Sequence, residues 1–531
     1  MTSSIRIVTI VLALASMQMV QAQGTRNLNL PDTVTPGQLR VGQVMGMIDG
    51  NYVDAPDMEK MSTEAINAML KALDPHSTYI PAKDVERANE GLQGNFEGVG
   101  ISFQIVQDTI VVGSVIAGGP SEKVGLQVGD KIVGIDGRPA TGDSVNNQFV
   151  FNHLRGKKGT VVSLEILRQG GRFTFEVTRD KVPIYSIDTY FMADDTIGYI
   201  RLIRFARTSV NEFRKALNDL ERQGMKALIL DLRGNTGGYL DIAYGLANEF
   251  LDRGQLIVYT EGRKSPRQDM NANGHGKFRK GRLIVLVDEG SASASEIVSG
   301  AVQDWDRGLL IGRRTFGKGL VQRMFQLGDG SQIRLTTARY FTPSGRCIQR
   351  PYEEGSDAYR DDYSQRYRRG ELVNADSIHF PDSLRYRTAH GRTVYGGGGV
   401  MPDIFVPIDT MRLTDYYISL RGKGLLNTVP LQWADAHRGK PEVKTFDLFL
   451  QNYDSFQLDS LLEKAAIEKG VVRDREKEAL EPERTTHSDN YMALMLKAQT
   501  AKDLFGIEYY YKVMKEVDDA YLEAVNQLRK Q

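Results

Sequence analysis

A multidomain α/β protein is predicted by three features of the chain. Strand and helix signals alternate after residue 184, short β-runs with glycine turns fill 96–182, and helical periodicity marks both ends. A length of 531 residues suggests about three or four domains. The 41% hydrophobic and 25% charged shares are ordinary for a globular protein. With 67 basic and 67 acidic side chains the net charge is zero, which argues against a nucleic-acid partner, whose phosphates call for basic excess. One cysteine, Cys347, excludes an internal disulfide framework and a cysteine-built zinc site.

The amino end reads as an export signal. A polar start with Arg6 is followed by an apolar run over 7–20, then by Val20-Gln21-Ala22 at a cleavage position. The run is about 14 residues, short of the roughly 20 that cross a bilayer as a helix. The expectation is a signal peptide over 1–22 and a soluble, periplasmic mature protein, with an N-terminal anchor as the alternative.

Over 37–90, Leu39, Val44, Met47 and Ile48, then Ile66, Met69, Leu70 and Leu73, recur at helical spacing. Two or three helices with a break at Asp74-Pro75 are expected within a helical region 23–95. Strands are expected at 99–106, 110–115, 131–135, 161–168 and 173–178. In the α/β stretch, strands are expected at 197–201, 227–231, 256–259, 283–288, 309–311 and 320–325. Helices at 210–222, 241–252 and 294–305 lie between them. Residues 351–397 are rich in Tyr, Arg and Asp and read as a solvated insertion or long flap. The chain returns to the core over 398–410, and 411–531 is helical with interleaved charges.

Three clusters could carry chemistry. Asp288-Glu289-Gly290-Ser291-Ala292-Ser293-Ala294-Ser295-Glu296 lies between a strand and a helix, where small residues let a serine project and leave backbone N–H groups at a helix start. Helix capping by Ser291 or Ser293 with Glu296 explains the same residues. The seven histidines form no recognisable triad motif. Lys318, in Thr315-Phe316-Gly317-Lys318-Gly319, is the better base, provided burial lowers its pKa. Gln322 lies four positions on, so an extended segment puts both side chains on one face. The segment from Gly312 to Lys318 also fits G-x-x-x-x-G-K of a phosphate loop. However, Gly319 stands where Ser or Thr is needed, and a strand follows instead of a helix. Asp231-Leu232-Arg233-Gly234-Asn235-Thr236-Gly237-Gly238, after a strand, offers glycine N–H groups to an oxyanion or forms a plain tight turn.

Taken together, in this order and spacing, the clusters resemble the carboxyl-terminal processing peptidases, or tail-specific proteases, serine endopeptidases with a Ser–Lys dyad. The signatures S-A-S-A-S-E, F-G-K-G-x-x-Q and D-L-R-x-N-x-G-G are present unaltered, and the resemblance runs from Asp74-Pro75-His76-Ser77 to Gly399-Val400-Met401-Pro402-Asp403. It implies a crotonase-like, ClpP-like α/β peptidase core over 183–350 and a PDZ domain over 96–182. Ser293 would be the nucleophile, Lys318 the general base and Gln322 its positioning partner. Ala294 with Gly237 or Gly238 would form the oxyanion hole, and Asp304 would be a structural support. Gly98-Val99-Gly100-Ile101 is similar to the loop that holds a peptide carboxylate in PDZ domains, with the following strand open to β-augmentation. The implied partners are proteins with unstructured, apolar C-termini, and by analogy a homo-oligomer or an adaptor. The resemblance implies no cofactor and no metal. The rival functions are a catalytically silent PDZ scaffold and a crotonase-like acyl-transfer enzyme.

Overall fold

The computed structural model describes residues 35–530, so the signal-peptide reading of 1–22 lies outside the described residues. The chain divides after Met69 into two units. In the first, the helix Pro36–Asn51 starts with Pro36 and is capped by Thr35, whose backbone N–H and side chain exchange hydrogen bonds with Gln38. None of its residues is buried, so Leu39, Val44 and Met47 stand exposed. Among the described residues no helix is long and apolar enough to cross a membrane.

The larger unit is built on a six-stranded sheet. Its strands are β1 (Ile187–Met192), β2 (Ile197–Leu202), β3 (Ala227–Asp231), β4 (Arg282–Val287), β5 (Leu309–Gly312) and β6 (Ile404–Phe405), adjacent in that order. Only the β1–β2 pair is antiparallel. Helices α1 (Ser209–Arg222), α2 (Leu240–Ala247) and α3 (Ala294–Asp304) connect the parallel strands. Side chains alternate across a strand, so β3 sends Leu228 and Leu230 to one face and Ala227 and Ile229 to the other. The first face packs on Phe213, Leu217, Leu246, Ile297 and Val298 of the helices. The second packs on Tyr521, Ala524, Val525 and Leu528 of the helix Asp519–Arg529. Burial on both faces explains why β3 and β4 read as continuous apolar runs instead of alternating ones.

Beside it lies a second sheet, ordered Thr78–Ile80, Gln332–Phe341, Leu256–Gly262, Ser265–Asn271, with Leu320–Gln326 also paired to Gln332–Phe341. The long strand Gln332–Phe341 was not expected, nor was Ser265–Asn271, whose sequence carries almost no apolar signal. A strand follows Gly319, as expected, and this removes the helix that a phosphate loop needs.

Residues 101–178 form a separate antiparallel sheet with its own core, including Ile110, Ile132, Val162 and Leu164. Its two ends are joined by pairing of Asn95–Gly98 with Asp180–Pro183. Ile101–Val106 is an edge strand of this sheet, and Phe103 on it meets Phe151 of the helix Asn147–Leu154 at 5.8 Å. Helices from Asp415 onward gather a further core around Trp433, Phe449 and Leu496.

The polar stretch after residue 350 is largely exposed, as expected of it, but it also has a buried side. It contains the helices Ser356–Arg360 and Asp362–Arg368 and buries Tyr359, Arg366 and Leu372. Tyr359 and Arg366 are packed against the core while Tyr363, Tyr367, Arg368 and Arg369 face solvent, a distinction that composition does not carry.

Candidate active site

Ser293 ends the β4–α3 turn in a left-handed conformation, φ 57° and ψ −111°. Such strain in a non-glycine residue persists only where the surroundings impose it, and it clusters at working sites. The neighbours impose it here. Ser291, fully buried, donates its hydroxyl to the Leu232 carbonyl at 2.8 Å, and Ser295, also buried, donates to the Asn235 carbonyl at 2.7 Å. Ser293 alone within 291–295 is partly exposed. It is also the residue before α3, with its N–H donated to Glu296 at 2.8 Å. Capping and projection thus coincide in one serine.

The buried Glu296 carboxylate joins two segments. Besides the Ser293 N–H it accepts from the Thr315 hydroxyl at 2.5 Å and the Gly317 and Lys318 N–H groups at 2.7 and 2.9 Å. The turn bearing the serine and the loop bearing the lysine therefore share one acceptor. Burial pushes the Glu296 carboxyl up, and these donors counter it. Tyr340 adds a second tie, its hydroxyl lying 3.0 Å from the Ser293 carbonyl and 2.7 Å from that of Lys318.

Lys318 is largely buried, and desolvation lowers its pKa against the raising effect of Glu296 and Asp74. Its amine donates to the Gln322 side-chain oxygen at 3.0 Å. The Gln322 amide approaches the Thr336 hydroxyl at 3.5 Å, and the Thr336 N–H donates to Ser77 at 3.1 Å. Ser77 in turn donates to Asp74 at 2.7 Å. In sequence, Asp74-Pro75 reads only as a helix break, and His76 and Ser77 carry no role. The signal was present in an Asx-type turn, since Asp74 also accepts the His76 and Ser77 N–H groups. His76 comes close enough for Lys318 to contribute to lowering its pKa, which burial chiefly brings down to about 4.

The glycine loop lies against the serine turn. A Cβ on Gly237 would come within 2.8 Å of the Ala292 carbonyl and 3.0 Å of the Ala294 nitrogen, and φ there is 100°. Only glycine fits. The Gly237 N–H is donated to the Asn235 side chain at 2.9 Å and is spoken for. The Gly238 and Ala294 N–H groups make no hydrogen bond among the described residues. Asp304 sits at the far end of α3, about 16 Å from its start by the helical rise. It is buried, paired with Arg346 at 2.7 Å and bonded to the Ser344 N–H at 2.9 Å.

In the 101–178 sheet, Val99 is buried and its carbonyl accepts from the Ser121 N–H and hydroxyl at 2.9 and 2.7 Å. Gly98 ends a short strand, Gly100 has φ 82°, and Ile101 opens the edge strand opposite Val115.

These features define a mixed α/β serine peptidase fold with a PDZ domain and helical ends. Comparison with known families agrees: residues 196–354 match the model of peptidase family S41 and residues 98–178 that of the PDZ domain. Residues 416–506 match a family of unknown function, DUF8443. The carboxy-terminal-processing protease of Bartonella bacilliformis is 37% identical over 317 residues, 58% of this chain and 72% of that protein. The carboxy-terminal processing protease CtpA of Bacillus subtilis is 35% identical over 313 residues, 59% of this chain and 66% of that protein. The solved photosystem II D1 C-terminal processing protease is 28% identical, covering 70% of this chain and 94% of that one at a TM-score of 0.36. The chain belongs to peptidase family S41, with the carboxy-terminal-processing proteases.

Proposed function

We propose that the protein cleaves peptide bonds in proteins whose C-terminal tails its PDZ domain captures, through a Ser293–Lys318 dyad and an acyl-enzyme. The observation that carries this reading is the shared acceptor Glu296, which holds the strained serine turn and the desolvated lysine loop together. The free edge strand starting at Ile101 would receive a tail as an added strand, with Gly98-Val99-Gly100-Ile101 at its carboxylate. A neutral Lys318 amine takes the Ser293 hydroxyl proton as the serine oxygen attacks the scissile carbonyl. The oxyanion falls to the Gly238 and Ala294 N–H groups, a choice supported by the engagement of Gly237 with Asn235. Collapse expels the amine, which takes the proton from Lys318. Water, deprotonated by the same lysine, then releases the acyl group and restores Ser293. Gln322 orients the amine, and Asp304 supports the fold through Arg346. The reading puts the enzyme in the periplasm, supported by the charge, apolar run and small residues of 1–22.

The test is degradation of matched substrates with apolar and charged tails. Ser293→Ala and Lys318→Ala should each abolish cleavage while the tail peptide still binds, as followed by fluorescence anisotropy. Undiminished cleavage by either variant sinks the dyad.

A further inference from the structure

The S41 match ends at residue 354, and the helices Ser356–Arg360 and Asp362–Arg368 lie beyond it. Yet they reach the segment that carries Lys318. Arg366 is 1% exposed, and its guanidinium donates to three successive carbonyls there: Arg314 at 3.2 Å, Thr315 at 2.8 Å and Phe316 at 3.0 Å. The same short segment turns its donors the other way. The Phe316 N–H goes to the Ser291 carbonyl at 3.0 Å, and the Thr315 hydroxyl and the Gly317 and Lys318 N–H groups go to Glu296. The lysine loop is thus gripped on one side by the serine turn and on the other by this strap. Arg314 pairs with Glu371, and Arg350 and Arg366 both pair with Asp362, so two carboxylates offset part of the positive charge of three guanidiniums.

A second contact reaches the same place independently. The Tyr359 hydroxyl lies 2.9 Å from His76 Nε2 and 3.3 Å from the Gln349 amide, whose oxygen accepts the Gly319 N–H at 2.8 Å. The Arg350 guanidinium lies 3.8 Å from the Tyr359 ring centre and 4.1 Å from that of Phe316. Phe316, Tyr359 and His76 also meet edge-on. Rings and guanidinium thus pack along the lysine loop.

We propose that residues 356–371 are a built-in strap that fixes and dries the loop of the catalytic base, with Arg366 as its positioning residue. The proposal rests on the reading of Lys318 as that base and deepens it. A rigid, water-excluding loop matters because a small displacement of a reacting group costs rate steeply, and because an amine stays neutral near pH 7 only while desolvated. The groups facing Lys318 are Glu296 from α3, Asp74 and His76 from the turn before Thr78–Ile80, and Arg334 from Gln332–Phe341. None belongs to the strap, so a change made in the strap acts on the lysine through position and water, not through a direct charge.

The experiment is a pH–rate series on the full chain with an apolar-tailed substrate. It compares the wild type with Arg366→Met, Arg366→Lys, Tyr359→Phe and Lys318→Ala. Arg366→Met should lose on the order of 10²-fold in kcat with KM nearly unchanged. Its rise in kcat/KM with pH should move to higher pH, because a wetter pocket lets the lysine hold its proton longer. Arg366→Lys, which keeps a donor and the charge, should recover part of both. A folded Arg366→Met with the wild-type pH profile, altered only in melting temperature, would overturn the strap's role. Should Arg366→Met fail to fold, Tyr359→Phe decides, since it removes one hydroxyl. A profile moved the same way supports the strap, and an unmoved one overturns it. Cleavage by Lys318→Ala at the wild-type rate would overturn the dyad and the strap together, whereas an inactive Lys318→Ala beside an unmoved Arg366→Met profile overturns the strap alone.

Discussion

At the scale of single residues, buried Glu296 does what no sequence motif states. A carboxylate inside a protein is unfavourable unless donors surround it, and this one has four. Ser293, Lys318 and Gln322 stand out as candidates because of their residue type and spacing. Glu296 was legible only as a cap, because its other partners lie 19 to 22 positions away. His76 was less legible still, being one histidine of seven. Its placement has a measurable effect on stability. The fold holds its ring neutral down to about pH 4, whereas the unfolded ring takes a proton near 6.5. Between those values the unfolded chain binds more protons, so acidification through that window removes stability, in total about 3 kcal/mol. Urea unfolding at intervals from pH 7 to pH 4 should show that loss, and His76→Asn should flatten it. An equally steep loss in the variant would assign the effect to other groups.

Among the elements, α3 carries the site at one end and its anchorage at the other. Ser293 precedes its first residue, and Asp304 ends it in a fully buried pair with Arg346. Removing one member of such a pair strands the other charge. Asp304→Asn should therefore cost about 3–5 kcal/mol in denaturant unfolding. A variant with an unchanged midpoint would remove Asp304 from the supporting role. The strands of the central sheet were readable because burial on both faces leaves dense apolar runs, as in β3 and β4. Gln332–Phe341 escaped because half-burial lets Gln332, Arg334 and Arg339 share the strand with Ile333 and Leu335. Its place is set by pairing with Leu320–Gln326 and Leu256–Gly262, and long-range pairing leaves little mark in local sequence. The buried side of the strap, Tyr359 and Arg366, leaves no mark in composition for a related reason. Arginine and tyrosine look solvated in composition, but they bury readily when backbone carbonyls and aromatic faces receive them.

At the scale of the molecule, the central sheet is completed by residues far apart in the chain. The first face is closed by helices that follow their strands directly, whereas the second waits for the helix Asp519–Arg529. Asp518, just before that helix, accepts both Arg233 Nη groups at 2.7 Å, tying the far end of the chain to the loop after β3. Removing 518–531 should expose Ile229, Ile284, Leu286 and Ile311 and yield aggregated protein, read by size-exclusion chromatography. A soluble, monodisperse truncation would show that this face does not need its cover.

That late cover also sets a timetable. Tyr521 follows Lys318 by 203 residues, an interval of roughly 10–40 s at ordinary rates of synthesis. During it a nascent chain already holds the serine and the lysine on a sheet that is open on one side. The second face of the sheet is thereby left uncovered until most of the polypeptide has been made.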